Sequence, residues 1–287
     1  MGEFYVVATP IGNLSDFSHR ATEVLQSVDL ILAEDTRRTA KLMNAFDVKT
    51  PLKSLHSHNE DSRIPEVLRR LDEGKTVALV SDAGTPLISD PGDRLLNSVI
   101  GLGHELYPIP GPSAILPALV ASGFSCVPFS FLGFIPKKGR QRRQVLSRVI
   151  SSTDTIVLFE SPNRLLALME DFVASGQRDR NLVVAREMTK IHEEFFRGTA
   201  SETLEYFRGK KIKGEITVVV APAKKEDEGI TQDKLVAAEI LSEAYLYRGI
   251  SPSEVARKVS TILGVSKNIM YQMVQHQLER SEKETSS

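Results

Sequence analysis

Short aliphatic runs alternate with polar stretches along the first hundred or so residues. Phe4–Ala8, Val28–Ala33 and Thr76–Val80 are mostly apolar runs bounded by turn residues, the pattern of strands covered on both faces. Between them, Ile64, Val67, Leu68 and Leu71 recur on one helical face. Pro65 is expected in the first turn of that helix, where its missing N–H costs nothing, and Gly74 marks its end. This alternation predicts a mostly parallel sheet covered by helices.

A second unit is expected after Gly123. Thr155–Phe159 and Asn181–Ala185 predict strands on either side of a helix over about 163–174. Glu215–Val220 predicts another strand, and Phe195–Thr199 a strand end and turn. Strand directions in this half are not set by the pattern, which leaves α/β and α+β open. Pro222–Gly229 is charged and reads as a linker. Helices follow over Lys234–Tyr247, from Ser251 onward, and over Ser266–Leu278. Ser251, Pro252 and Glu254 have the spacing of a capping box. Glu254–Met273, turning at Gly264, is shaped like a helix-turn-helix. A small packing or dimer-supporting appendage is the preferred reading, because a short helical pair with a glycine turn says little. The expected domains are 1–120, 121–222 and 231–280.

Composition narrows the classes. The 287 residues have room for two domains and an appendage. A net charge of −1 excludes a chain that is a polycation throughout. The single cysteine, Cys126, has no partner for an internal disulfide and is expected to be a small buried residue. Neither a leader pattern nor an apolar stretch of ~20 residues occurs, so a soluble cytoplasmic protein is expected, with no membrane partner.

Two loops carry the most specific chemistry. Ser81-Asp-Ala-Gly-Thr-Pro86 follows the run ending at Val80, and Pro108-Ile-Pro-Gly-Pro-Ser113 ends the run Glu105–Ile109. Small residues at a strand's carboxyl end let a ligand approach the backbone, and Gly111 is expected in that lining. Walker, dinucleotide-fingerprint and nucleophile-elbow patterns do not occur. His56 and His58 would share a strand face, but no third ligand stands at metal spacing, and no metal is expected.

Ala33-Glu-Asp-Thr-Arg37, Ser81–Pro86 continuing to Ser89-Asp-Pro-Gly92, Pro110–Ala114, Phe159-Glu-Ser-Pro-Asn-Arg164 and Glu187-Met-Thr-Lys190 occur in this order. The set resembles the tetrapyrrole-methylase-like superfamily of S-adenosylmethionine-dependent methyltransferases. Within it, the set is similar to the branch that methylates a cytidine 2′-hydroxyl of small-subunit ribosomal RNA. The resemblance covers roughly Phe4–Ala221 and a similar helical tail. It implies an α/β fold: two α/β domains with a cofactor cleft between them, plus a small C-terminal helical domain. It also implies a homodimer, acting on the RNA or on the assembled 30S subunit. The implied cofactor contacts are Pro10, Asp82, Ala83, Gly84, Thr85, Ser113, Ala114, Glu160 and Met188. Asp82 would attract the sulfonium charge; as a turn residue it would instead bond its own backbone.

Methyl transfer rests on positioning the acceptor oxygen at about 3 Å, in line with the methyl–sulfur bond, and on a group that takes the hydroxyl proton. Candidates are Asp35, His58, Glu60, Glu187 and Lys190, with Arg37 holding a phosphate or pairing with an acid. Each has the alternative of an ordinary surface ion pair. Leu106–Thr153 contains no aspartate or glutamate. Lys137, Lys138, Arg140, Arg142 and Arg143 lie within it and are expected to contact RNA phosphates, on a mobile loop. Phe131 and Phe134 would stack on a base or belong to the core. A tetrapyrrole-like small molecule is the alternative acceptor, and a regulator that binds nucleic acid through the C-terminal helices is a third reading.

Overall fold

Aliphatic runs that alternate between two covered faces build the first of two sheets. The computed structural model describes residues 2–223 and 232–285, and the chain forms two compact units, Met1–Pro222 and Ala223–Ser287. The linker expected over Pro222–Gly229 lies, from residue 224, outside the described residues.

The first unit opens with β1 (Glu3–Val7), α1 (His19–Ser27), β2 (Leu30–Ala33), α2 (Thr36–Ala45), β3 (Leu52–Ser54), α3 (Glu60–Asp72), β4 (Val77–Val80), α4 (Asp93–Gly101), β5 (Glu105–Ile109) and α5 (Ile115–Ser122). The strands form a five-stranded sheet in the order β3-β2-β4-β1-β5, with every pairing parallel. Successive strand residues divide between two cores, as the period of two requires. Val7, Ile31, Ala33, Ala78 and Val80 pack with Leu25 and Met43 of α1 and α2. Phe4, Leu30, Leu32, Val77 and Leu79 pack with Val67, Leu71, Leu95 and Val99 of α3 and α4. The two ligand loops leave β4 and β5, which flank β1.

The chain continues through β6 (Phe129–Phe134), α6 (Gly139–Ser151), β7 (Thr155–Glu160), α7 (Leu165–Ala174), β8 (Asn181–Arg186), β9 (Glu194–Thr199), α8 (Ala200–Phe207) and β10 (Ile216–Val220). Their sheet has the order β6-β7-β10-β8-β9. Only β6 and β7 are parallel; the other pairs are antiparallel. Ile156, Leu158, Leu182, Val184 and Val218 face one core with Leu168 and Phe172 of α7. The opposite face, Val157, Val183, Ala185 and Val219, packs on Ile115, Ala118 and Leu119 of α5. The helix that ends the first half thus covers the second sheet, and Cys126 packs partly buried beside it. Residue 120 lies within α5.

Several elements differ from the pattern's indication. Phe195–Thr199 belongs to a full edge strand, since every residue of β9 pairs with β8. Phe129–Phe134 is also a strand. α3 begins at Glu60, so Pro65 lies inside it. The additional turn is held by one local and one tertiary bond: Asn59 Oδ1 accepts the His56 N–H at 2.8 Å, and the buried Glu60 carboxylate binds α4. His56 and His58 lie in the turn before α3 rather than on β3, their rings 6.0 Å apart.

In the second unit, α9 (Gln232–Tyr247), α10 (Pro252–Leu263) and α11 (Lys267–Thr285) bury Ala238, Val255, Val259, Met270 and Val274. Gly264 ends α10 in the left-handed conformation (φ 65°). Ser251 stands at the N-cap with Pro252 after it, but its side chain makes no capping bond. The full capping box is at Thr199 and Glu202 of α8.

Leu119 is buried where the two sheets meet through α5. Leu119→Ala is expected to destabilise Met1–Pro222 by roughly 2–5 kcal/mol, read as a lower denaturant midpoint.

Candidate functional site

The carboxyl ends of the parallel strands face one end of the second sheet. The registers Phe134↔Phe159, Ile216↔Glu160, Ile216↔Arg186 and Arg186↔Glu194 bring the exits of β6, β7 and β8 and the entry of β10 together there. Between the two lies a cavity of about 440 Å³, within the size range of small-molecule sites. Asp82, Ala83, Gly84, Thr85, Ser113, Ala114, Glu160 and Met188 all line it.

Short polar bonds shape the loops. Thr9 and Gly84 exchange backbone hydrogen bonds of 2.8 and 2.9 Å. Thr9 Oγ1 donates to Ser81 O at 3.1 Å, and Thr85 Oγ1 donates to Pro112 O at 3.2 Å. Gly84 is left-handed (φ 83°), a conformation that costs glycine little. Ser113 Oγ accepts the Ile115 N–H at 3.2 Å, at the start of α5. Pro10 follows Thr9 but is not among the lining residues. Gly111 is a close approach of another kind. A Cβ there would meet Ala8 Cβ at 3.0 Å, at the exit of β1, rather than enter the cavity.

Both lips of the cavity carry strained backbone. Five non-glycine residues among those described have positive φ. Four of them, Leu87 (73°), Ser89 (73°), Glu187 (51°) and Thr189 (66°), flank or belong to the lining at Ile88, Ser89 and Met188. Such strain persists only where surrounding structure over-determines it. Here the lips touch. A Cβ on Gly133 would lie 3.3 Å from Ser89 Oγ, and one on Gly12 would collide with Lys190.

The cavity wall is acidic. Glu34, Asp82, Asp90, Glu160 and Glu215 line it against one guanidinium, Arg38. Asp82 does not bond its own turn. Its Oδ1 accepts the Asp35 N–H at 3.0 Å and its Oδ2 pairs with Arg38 at 3.2 Å. Burial, then the charges of Glu34 and Asp82, push the Asp90 carboxyl up to about 6, against a hydrogen bond from Ser81. Burial and Asp82 likewise raise Glu34. Glu160 is 2% exposed. Its Oε1 accepts the Ser161 N–H at 2.8 Å and faces Arg164 at 3.4 Å, while the buried Oε2 has no partner. A buried carboxylate oxygen without a partner is costly unless a ligand supplies the hydrogen bond. Phe134 and Phe159 add an apolar wall, their rings 5.5 Å apart. A ligand with a cationic centre, hydrogen-bond donors and a flat apolar part fits this lining.

The five residues weighed for proton transfer, and Arg37 with them, stand outside the lining. Asp35 caps α2 and binds the Arg37 side chain and amide, which hold its carboxyl far below the usual range. Exposed Arg37 is occupied by the same pair. His58 is exposed in its turn. Buried Glu60 accepts the N–H groups of Arg94 and Leu95 at 2.8 and 3.1 Å, at the start of α4. Burial would raise Glu187, but Lys190 and the Glu215 N–H outweigh it and hold the carboxyl low. Burial would lower Lys190, but Glu187 and Glu215 outweigh it and keep the ammonium charged. Sequence reasoning missed Glu34, Arg38 and Asp90, although Glu34 and Asp90 stand in two of the motifs quoted above. β2 ends at Ala33, so Glu34 faces in and Asp35 turns away to cap α2.

The basic segment is only partly a loop: Lys137 and Lys138 precede α6, while Arg140, Arg142 and Arg143 lie within it. Phe134 ends β6, and α6 begins at Gly139. Arg164 donates to the carbonyls of Ile135 and Pro136, and Arg142 donates to Pro136 O at 3.2 Å. The Arg142 guanidinium is also paired with Asp171 and largely buried. Lys137, Lys138, Arg140 and Arg143 are exposed. Phe131 packs on Phe159 in the core, while Phe134 stands at the cavity.

A family model described as Tetrapyrrole (Corrin/Porphyrin) Methylases matches residues 3–204. The chain is 42% identical over 273 residues to "Ribosomal RNA small subunit methyltransferase I" of Synechocystis sp., covering 95% of this chain and 97% of that one. It is 49% identical over 221 residues to the protein of the same name from Thermotoga maritima, covering 77% and 99%. Among solved structures, uroporphyrin-III C-methyltransferase from Thermus thermophilus, complexed with S-adenyl homocysteine, superposes with a TM-score of 0.54 at 14% identity, covering 77% and 92%.

Removing the Glu60 carboxylate leaves two helix-terminal N–H groups without an acceptor. Glu60→Ala is expected to cost roughly 1–3 kcal/mol of stability while activity per folded molecule is retained. Chemical denaturation and a rate normalised to folded protein check the two halves.

Proposed function

We propose that this chain, which belongs to the tetrapyrrole (corrin/porphyrin) methylases and within them to the ribosomal RNA small subunit methyltransferase I family, methylates a cytidine 2′-hydroxyl of small-subunit ribosomal RNA. Methyltransferase chemistry on ribosomal RNA is the family's activity, and its methyl donor is S-adenosylmethionine. The cytidine and its 2′-oxygen are the finer reading. It follows from the motif resemblance, and one observation supports the RNA substrate on which it rests: a carboxylate-lined cavity lies beside a basic segment, Lys137–Arg143, whose exposed cations have no ion-pair partner among the described residues. A small cation suits the first and a polyanion the second.

When bound, S-adenosylmethionine supplies an electrophilic methyl group on a sulfonium. Asp82, Gly84, Thr85, Ser113, Ala114 and Met188 would hold it, with Glu160 Oε2 accepting a hydrogen bond from it. Main-chain groups of the two loops orient the polar ends, and Phe159 and Met188 exclude water. Phe134 at the rim offers a face for the base, and Lys137, Lys138, Arg140 and Arg143 hold phosphates. Methylating a hydroxyl releases a proton. Asp90 takes it as the carboxylate, being half-buried, in the cavity, and displaced toward neutral pH by its surroundings. Glu34 and Asp82 hold Asp90's proton affinity up, while Arg38 partly offsets Asp82.

Incubating the protein with labelled methyl donor and small ribosomal subunits, then mapping the label, tests the finer reading. A label resistant to alkaline cleavage at a cytidine is expected; label on a base, or at another nucleoside, overturns it.

Asp90 has a pH signature with a definite sign. The rate should climb as pH rises through about 6 and level off above it. Asp90→Asn should lower kcat by about 10²–10⁴-fold and abolish that limb, with methyl-donor binding still measurable by calorimetry. Stability should move the other way. The folded carboxyl lies above its ordinary value, so its contribution is full at low pH and lost as pH rises through about 6. Asp90→Asn should therefore raise the melting temperature at pH about 8 and leave it unchanged toward pH about 4.

A further inference from the structure

The second sheet's cavity end carries another basic segment, in which the motifs above took no interest. Between α8 and β10 the chain reads Arg208-Gly-Lys-Lys-Ile-Lys-Gly214, and no aspartate or glutamate occurs from Tyr206 to Gly214. Arg208, Lys210, Lys211 and Lys213 are all exposed. Among the described residues none of the four has an ion-pair partner, whereas Lys190, close by, is held by Glu187 and Glu215.

The segment is anchored at both ends. Lys210 Nζ lies 3.1 Å from the centre of the Tyr206 ring, which stacks on Phe196 at 4.2 Å. Lys213 O accepts a hydrogen bond from Arg186 at 3.3 Å, and Gly214 (φ 89°) lies against the Glu187 carboxylate. Gly214 and Glu215 then enter the cavity lining. A strip of unpaired cations therefore runs directly into the cavity wall. Strand order sets its place relative to the first basic segment. Lys137 and Lys138 follow the exit of β6, and Lys213 precedes the entry of β10, with β7 between. Two strand spacings separate these strands, roughly 10 Å, the length of about three stacked nucleotides of one strand.

We propose that Lys210, Lys211 and Lys213 form a second phosphate-binding surface for the RNA substrate, on the other side of β7 from Lys137–Arg143. A single strand crossing the cavity mouth is then held on both sides of the nucleotide that enters. The proposal rests on the RNA reading above and adds to it a defined path for the strand.

The test is a salt titration of binding to small-subunit ribosomal RNA. It compares the full chain, the variant Lys210→Gln/Lys211→Gln/Lys213→Gln, and a variant with Lys137, Lys138, Arg140 and Arg143 changed to Gln. Lys211→Glu/Lys213→Glu is run alongside because it leaves the Lys210–Tyr206 contact intact. Each lysine lost should lower the slope of log K against log salt by about 0.7, and the triple variant should bind on the order of tenfold more weakly. Calorimetric affinity for S-adenosylmethionine should not change. If affinity and slope stay at the parent values while the Lys137–Arg143 variant loses both, the second surface is refuted and the RNA reading stands. If neither variant alters the slope, both fail. A loss of methyl-donor affinity in the lysine variants also refutes the proposal, since the segment would then serve the cavity itself.

Discussion

The packing of α5 against the second sheet is the contact on which the rest depends. Ile115, Ala118 and Leu119 meet Val157, Val183 and Val219, and that apolar face sets where the ends of one sheet stand against the ends of the other. In parallel sheets ligands gather at the carboxyl ends of the strands. Here a second sheet closes over that end, so that loops from both contribute to one cavity. The left-handed residues at its lips follow from the same constraint. Leu87 and Ser89 come from one half, Glu187 and Thr189 from the other, and each pair is held where the two halves press together at Gly133 and Gly12.

Charge is distributed by depth. The carboxylates lie in the cavity, where burial and Asp82 raise both Asp90 and Glu34, and cations without an ion-pair partner among the described residues lie outside it, on the second sheet's loops and on α6. That distribution suits a cationic small molecule in the cavity and an anionic polymer beside it. Not every arginine in or near the basic stretch faces outward. Arg142 and Arg164 turn inward to hold the carbonyls of Ile135 and Pro136, which fixes the backbone from which Lys137 and Lys138 project.

The strands of both sheets were legible wherever burial on two faces produced a run of aliphatic and β-branched residues, as in Leu30–Ala33, Val77–Val80 and Ile216–Val220. The small-residue loops were legible too, since their composition reflects close backbone approach. Phe129–Phe134 was not, because serine and glycine interrupt it and Gly133 sits at a break in register. Which carboxylate faces the cavity was also hidden. Glu34 and Asp35 are neighbours, and the choice between them depends on where β2 stops. Glu60 has the residue type of a catalytic acid, but only tertiary structure shows it satisfying the start of α4. Arg142 reads like its neighbours until Asp171, far away in sequence, is brought beside it.

The strand order of the second sheet has a consequence for synthesis. β10 is last in the chain, yet lies in the middle, between β7 and β8. During translation β7 and β8 have no central partner until residue 220 has left the exit tunnel, and the cavity wall formed by Gly214–Thr217 is missing until then. In a nascent chain the two-sheet cavity is therefore completed only by the last strand to emerge, so that the site closes late in synthesis and in one step.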